Sequence, residues 1–275
     1  LTDPEAPLPV LEMPLHPGPV RRVDLLGERR ALAPTQDSGI GAVAHRVELS
    51  REPVVIEGVR AELVRFLAGL RLDPGRFNPT LGQRRHALVI ENPWDFPVRG
   101  RIFIVEPGGM SGGAAGRDRS WQLTPRVIPF ALNANERREE PIEIAFGAGQ
   151  EAGWTEVVFD VQLTADEEYP LLRVSRRMEV ASEDLELEVV AYRAEGGAVS
   201  VHAVVTNRSG DPRSVELAAV AMGSSRERAT INGLARGETG ERRFLMFGLA
   251  PGARISVGLT EPKTGVRLTR TITAP

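Results

Sequence analysis

One string in the chain has the form of a catalytic nucleophile. Gly109-Met110-Ser111-Gly112-Gly113 fits Gly-x-Ser-x-Gly, the strained turn that presents a serine in many hydrolases. That turn needs a strand before it and a helix after it. "RIFIVEP" supplies the strand, but "AAGRDRSWQL" is too short and too Gly-rich for the helix. The string also lacks the Gly-Lys-Ser/Thr ending of a phosphate cradle. We therefore read a Gly/Ser loop between strands and assign no catalytic residue.

Carboxylates cluster at Asp166, Glu167 and Glu168, and again at Glu139 and Glu140. A glycosidase needs two carboxylates about 5–10 Å apart across a cleft. Charged loop clusters are more simply solvated faces. Calcium at Asp166–Glu168 is the alternative use, because hard oxygen ligands suffice, yet no Asp-x-Asp-x-Asp-Gly loop is present. The histidines are His16, His45, His86 and His202, with no His-x-His or His-Glu-x-x-His spacing, so no metal site is assigned. Cysteine is absent, which excludes disulfides, thiolate zinc sites and a Cys nucleophile. No residue pattern calls for a cofactor.

Trp94, Trp121 and Trp154 lie in one half of the chain. Trp121 and Trp154 each open a strand and are expected to face inward. Trp94 follows Pro93 in a corner and is the candidate for an exposed ring that stacks on a ligand such as a sugar. Asn207-Arg208-Ser209 is a formal glycosylation sequon on an expected turn, accessible but incidental.

The elements that would position these residues are strands. The chain has 275 residues, 41% hydrophobic and 26% charged, with 28 Gly and 21 Pro between short runs rich in Val, Ile, Leu and Phe. A net charge of -3 gives no general pull toward nucleic acid, and Lys263 is the single Lys among scattered Arg. No apolar run approaches the roughly 20 residues of a membrane helix. The first residue is Leu and no signal-peptide pattern follows, which suggests a processed chain or a piece of a longer one.

Residues 1–20 hold a Pro every few positions and read as an extended arm without helix or central strand. "VRRVDLLGERRAL" reads as a hairpin turning at Gly27, and "AVAHRVELSREPVVIEGV" as further strands. "RAELVRFLAGLRLDP" fits both periods. Leu63, Phe66, Leu67 and Leu70 have helical spacing, but strand-like neighbours favour a strand, with a short helix as the alternative.

Two phrases then repeat. "HALVIENPWDFPVRGRIFIV" and "HAVVTNRSGDPRSVELAAV" each give an alternating run, an Asn (Asn92, Asn207), a turn, and a second alternating run. Asn tolerates left-handed backbone and bonds its own turn, while Pro93, Gly210 and Pro212 stop the strand. Each phrase reads as two adjacent antiparallel strands joined by a corner. The two phrases place His86 and His202 at equivalent strand positions, which points to a structural role. "FALNANERREEPIEIAF" is echoed by "NGLARGETGERRFLMFGL". The repeat recurs about one small sandwich later. Ser182, Glu183 and Asp184 interrupt the alternation and mark a short linker.

"EPVVIEGV", "NPWDFPVRGRIFI", "WQLTPRVIPFALNANERREEPIEI" and "VVTNRSGDPRSVELAAV" resemble the NEW3-type, α-galactosidase-associated Ig-like modules, found in tandem near the C-terminal end of large secreted bacterial proteins that often act on carbohydrates. The resemblance runs from about Arg51 onward. It implies a structural module, an extracellular, periplasmic or cell-surface location, and no functional residues to carry over.

The expected fold is all-β: two tandem antiparallel Ig-like β-sandwiches at 60–181 and 182–275, preceded by a Pro-rich arm and a few extra strands at 1–59. Leu88, Ile90, Ile102, Ile104, Phe130, Val157, Phe159, Val161, Val204, Leu217, Phe244 and Val257 are expected in the cores. The expected function is a non-catalytic spacer or assembly module of an exported bacterial protein, not an enzyme, with a protein neighbour or upstream domain as partner and neither nucleic acid nor a membrane span. The alternative is a carbohydrate-binding accessory module of a glycoside-hydrolase-type protein, or a fragment of such an enzyme.

Overall fold

Apolar and polar residues alternate, and the buried positions follow that alternation. In Val127–Leu132, Ile128, Phe130 and Leu132 are buried while the residues between them are exposed. The computed structural model describes residues 10–13, 19–36, 43–48, 53–80, 83–105, 121–147 and 150–275. Its strands build the all-β fold expected from the sequence.

The N-terminal part contributes β1 (Val10–Met13), β2 (Val20–Val23), β3 (Arg29–Leu32), β4 (Pro34–Gln36), β5 (Val43–Glu48) and β6 (Val55–Glu57). They form two small sheets, ordered β1-β5-β4 and β3-β2-β6. Gly27, at φ 82, closes the β2–β3 hairpin, and Asp24 Oδ1 accepts the backbone N–H groups of Leu26 and Glu28. Val10–Met13 corrects the expectation for the Pro-rich arm. It lies between prolines, and its four residues form an edge strand on β5.

A helix follows, α1 (Ala61–Gly69), where the sequence favoured a strand. Leu63, Phe66 and Leu67 form one buried stripe. A strand would have thrown Leu63 and Phe66 to opposite faces, so the helical period wins. Nine residues cannot hold a helix alone in water. Here Arg176 donates to the carbonyls of Leu70, at 2.8 Å, and Leu67, satisfying groups at the helix C-terminus.

The next strands are β7 (Arg71–Asp73), β8 (Arg76–Phe77), β9 (Arg84–Glu91), β10 (Val98–Val105), β11 (Gln122–Thr124), β12 (Val127–Leu132), β13 (Arg137–Ala145), β14 (Gly153–Thr164) and β15 (Leu172–Val180). One sheet is β11-β13-β9-β7 and the other β12-β10-β14-β15-β8. Leu88 and Ile90 from the first face Ile102, Phe159 and Val161 from the second across one core. Phe66, Trp94 and Phe130 pack at one end, with ring centroids 5.8 Å apart in the pairs Phe66–Trp94 and Phe66–Phe130. Phe77, Trp121 and Phe146 pack together elsewhere in the same core, with Phe77 edge-on to Trp121 at 5.4 Å.

The last seven strands are β16 (Leu185–Arg193), β17 (Val199–Asn207), β18 (Arg213–Ala221), β19 (Glu227–Leu234), β20 (Thr239–Met246), β21 (Arg254–Thr260) and β22 (Arg267–Thr273). They form the sheets β16-β17-β20 and β19-β18-β21-β22, with a second core from Leu185 to Ala274 between them. Among the described residues a third, small cluster joins Val20 and Val47 to Leu32, Ile56, Val59 and Val64. Val64 belongs to α1, so this helix faces two cores.

The corners depart from the expected hairpins. β9 and β10 belong to different sheets, as do β17 and β18. Each corner therefore carries the chain across the core rather than back along its neighbour. The histidine equivalence fails for a related reason. His86 lies six residues before Asn92 and His202 five before Asn207. One residue of offset flips a strand side chain to the other face. His86 is thus buried, while His202 lies on the outer face against Glu241 and Tyr192. Val204 shares the outward parity of His202 and is only half-buried, whereas the other eleven expected core residues are buried.

Candidate functional site

Trp94 is 4% exposed, against the exposure expected of it. The arch at Asn92 turns the indole inward onto Phe66, because Asn92 Oδ1 accepts the Trp94 N–H at 3.0 Å and fixes the backbone there. The ring cannot present a face to a ligand. Trp121 is 1% exposed, as expected, and its Nε1 donates to Gln150 at 2.7 Å. Trp154 corrects the inward expectation: it is 65% exposed, and its outer face lies under the Arg177 guanidinium at 5.6 Å.

Ser111 and the Gly-rich string around it lie outside the described residues, as does His16. The two carboxylate groups are on separate elements with separate partners. Asp166 accepts from Arg60 and from the Tyr169 hydroxyl at 2.8 Å. Burial raises the Tyr169 pKa above its ordinary value, and the bond to Asp166 adds to this. Glu139 and Glu140, on β13, face Arg137 at 2.7 Å and Arg138 at 3.8 Å. Among the described residues no three His, Asp or Glu side chains gather as a metal centre. Asn207, the sequon residue, is fully buried rather than accessible. Its amide donates to the carbonyls of Asp211 and Leu234, at 2.8 and 2.9 Å.

His86 sits on β9 opposite Ile142, edge-on to Phe77 at 4.9 Å. Burial lowers its pKa, and the Pro74 backbone and Asp73 only partly offset this. The imidazole is therefore kept neutral by its apolar surroundings, and its Nδ1 has no hydrogen-bond partner.

A built polar assembly joins the two sandwiches. The β22 edge of the second sandwich is met by two pieces of the first. Thr80 pairs with Val266 in an antiparallel bridge, and Arg267 N–H donates to the Pro79 carbonyl at 2.6 Å. Glu151 pairs with Thr269 in a parallel bridge, and Ala152 N–H donates to the Thr269 carbonyl at 2.8 Å. Arg270 returns a bond from Nη1 to the Ala152 carbonyl, also at 2.6 Å. Gly153, at φ 125, lets the chain run past that guanidinium. Ala152 packs on the second core.

The linker is pinned as well. Ala181 N–H donates to the Phe77 carbonyl at 3.1 Å, and the Ser182 hydroxyl accepts from Asp184 and Leu185, both at 3.2 Å. Arg213 holds the Asp184 carboxylate at 2.8 Å. Sequence reasoning missed the bridges, because Pro79, Thr80 and Glu151–Gly153 carry no strand pattern of their own.

No protein-family model matches the chain, and no curated protein matches it. Several solved structures are similar. Red sea bream transglutaminase matches with a TM-score of 0.32 at 10% identity, over 92% of this chain and 40% of that one. A protein of unknown function from Porphyromonas gingivalis W83 gives 0.30 at 14% identity, over 74% and 98%. The Salmonella enterica SafA pilin in complex with the SafB chaperone gives 0.28 at 14% identity, over 74% and 96%. This chain therefore spans two fifths of the transglutaminase. None of the three reaches a TM-score from which a shared role follows.

Proposed function

We propose that the chain is a non-catalytic spacer or assembly module, a stiff pair of sandwiches that holds a neighbouring domain or protein at a fixed offset. The observation that carries this reading is the seam at β22. Flexible tandem domains are joined by a linker and a polar contact surface. Here main-chain hydrogen bonds run across in two places, so the second sandwich cannot turn without breaking backbone pairing. No helix among the described residues is long and apolar enough to cross a membrane. A place in an exported protein of NEW3-type Ig-like architecture goes with the proposal and rests on the resemblance of the two Asn-corner phrases.

The carbohydrate-binding alternative loses the residue it depended on, since Trp94 is buried. The test uses the absence of cysteine. Val127→Cys and Met222→Cys, both exposed and one on each sandwich, take spin labels for distance measurement. A single narrow distance distribution supports a rigid spacer. A broad distribution, or hydrolysis of chromogenic glycosides by the purified chain, overturns it.

A further inference from the structure

The outer face of the sheet β19-β18-β21-β22 carries a groove of about 660 Å³. Its floor is made by small residues in register. Arg228, Ala218, Gly258 and Thr269 form one cross-strand row, and Thr230, Glu216, Thr260 and Arg267 the next. Arg226 stands at the rim. Arg226, Arg228 and Arg267 make no ion pair among the described residues, and Arg267 Nε is buried without a hydrogen-bond partner. Three guanidiniums thus share the groove with one carboxylate, Glu216.

Gly258 shows that the floor is kept open by the residue chosen rather than by the fold. Its φ lies outside the left-handed range, and a Cβ there would come no closer than 4.0 Å to the Ala218 carbonyl. Gly100, which lines the corresponding groove of the first sandwich, is different: a Cβ there would meet the Gln162 carbonyl at 2.0 Å, so packing alone demands glycine.

We infer that this groove binds a carboxylate-bearing polysaccharide. Arg228 and Arg267 stand on the two outer strands in successive rows, so three inter-strand spacings and one two-residue step set them about 16 Å apart. That separation suits charges repeated along an extended chain rather than one small anion. Guanidinium forks match carboxylates, and Thr230, Thr260 and Glu216 offer partners for hydroxyls. An extended peptide gains its affinity by pairing with a sheet edge. β18 and β21 are each paired on both sides, so the floor has no backbone groups to give a peptide.

The full chain is titrated calorimetrically at low salt with polygalacturonate, poly-L-glutamate and neutral dextran. Polygalacturonate is expected to bind, dextran not. Arg228→Gln/Arg267→Gln is expected to weaken binding at least tenfold, as is Arg226→Gln/Arg228→Gln, whose side chains are exposed and whose loss leaves the fold intact. Gly258→Val, which fills the floor, weakens it too. Arg99→Gln/Arg101→Gln on the first sandwich leaves it unchanged. Absence of polygalacturonate binding overturns the inference, and so does equal weakening by the Arg99/Arg101 variant, which would mean diffuse charge attraction. Equal or tighter binding of poly-L-glutamate overturns the polysaccharide assignment in favour of an acidic peptide.

Discussion

Asn92 and Asn207 make the same hydrogen bonds from the same place in two different cores. Each Nδ2 donates to the carbonyl four residues ahead, Phe96 or Asp211, at 2.9 and 2.8 Å. Each also donates across the core end, to Asn133 or Leu234, at 2.6 and 2.9 Å. Each Oδ1 accepts the N–H two residues ahead, from Trp94 or Ser209. Each backbone N–H donates to a glutamate carbonyl, Glu136 or Glu238. Those glutamates repeat as well: their carboxylates accept from Asn133 and Ala235, both at 2.7 Å, beside left-handed Asn135 and Gly237.

Replacing either asparagine by alanine removes three hydrogen bonds at a core end; the Asn133 carbonyl still accepts from Glu136 N–H and the Asp211 carbonyl from the Ser209 hydroxyl, but the Trp94 or Ser209 N–H and the Phe96 or Leu234 carbonyl lose the asparagine. A buried group left unpaired costs about 1–3 kcal/mol. Asn92→Ala and Asn207→Ala should each destabilise by more than 2 kcal/mol in order of magnitude. Because they sit in separate cores, the double variant should be near the sum. Urea denaturation of the three variants measures both.

The three tryptophans should report separately. Trp154 should be quenched readily by acrylamide, while Trp94 and Trp121 stay shielded. Trp154→Ala should remove the accessible fraction and cost about 1 kcal/mol or less, the scale of an exposed cation–π contact. Trp94→Ala and Trp121→Ala should each cost about 3–5 kcal/mol, the scale for emptying an aromatic core site.

Gly100→Ala and Gly258→Ala should diverge. The first drives a Cβ into the Gln162 carbonyl and the Phe130 ring, 2.8 Å away, and should lower the melting temperature severely. The second meets open space and should change stability by about 0.5 kcal/mol or less, or raise it slightly. Thermal denaturation of the pair distinguishes a glycine required by packing from one that is not.

His86 should make the first sandwich acid-sensitive. Its folded pKa lies below the unfolded value near 6.5, through burial. The unfolded chain therefore binds the extra proton first as pH falls. Stability is full above about pH 6.5 and declines as pH falls from there toward the folded pKa. His86→Leu should flatten this part of the profile. Denaturation midpoints between pH 7.5 and 5 test it.

The strands and their inward positions were legible because alternation is a local signal. The duplicated Asn corner was legible because its chemistry sits within a few residues. Its geometry was not: whether a corner turns back or crosses to the facing sheet depends on which strand each arm later pairs with. β9 finds β13 and β10 finds β14, far along the chain. α1 was ambiguous because Leu63, Phe66, Leu67 and Leu70 satisfy one period fully and the other partly. Trp94 was misjudged because a Pro-rich corner suggests exposure, whereas the Asn92 bond turns the next residues into the core end. The Arg groove was invisible, since β18, β19, β21 and β22 assemble it from single residues on four strands.

The seam also decides what can be separated. An open strand edge invites pairing with any available chain. In this molecule Pro79, Thr80, Glu151 and Ala152 occupy the margin that β22 would otherwise offer. Cut free of its companion, the C-terminal unit would carry an unsealed border and tend to stick to copies of itself. The two halves are thus poor candidates for independent shuffling into other proteins, and any transplant would have to move both or redesign that border.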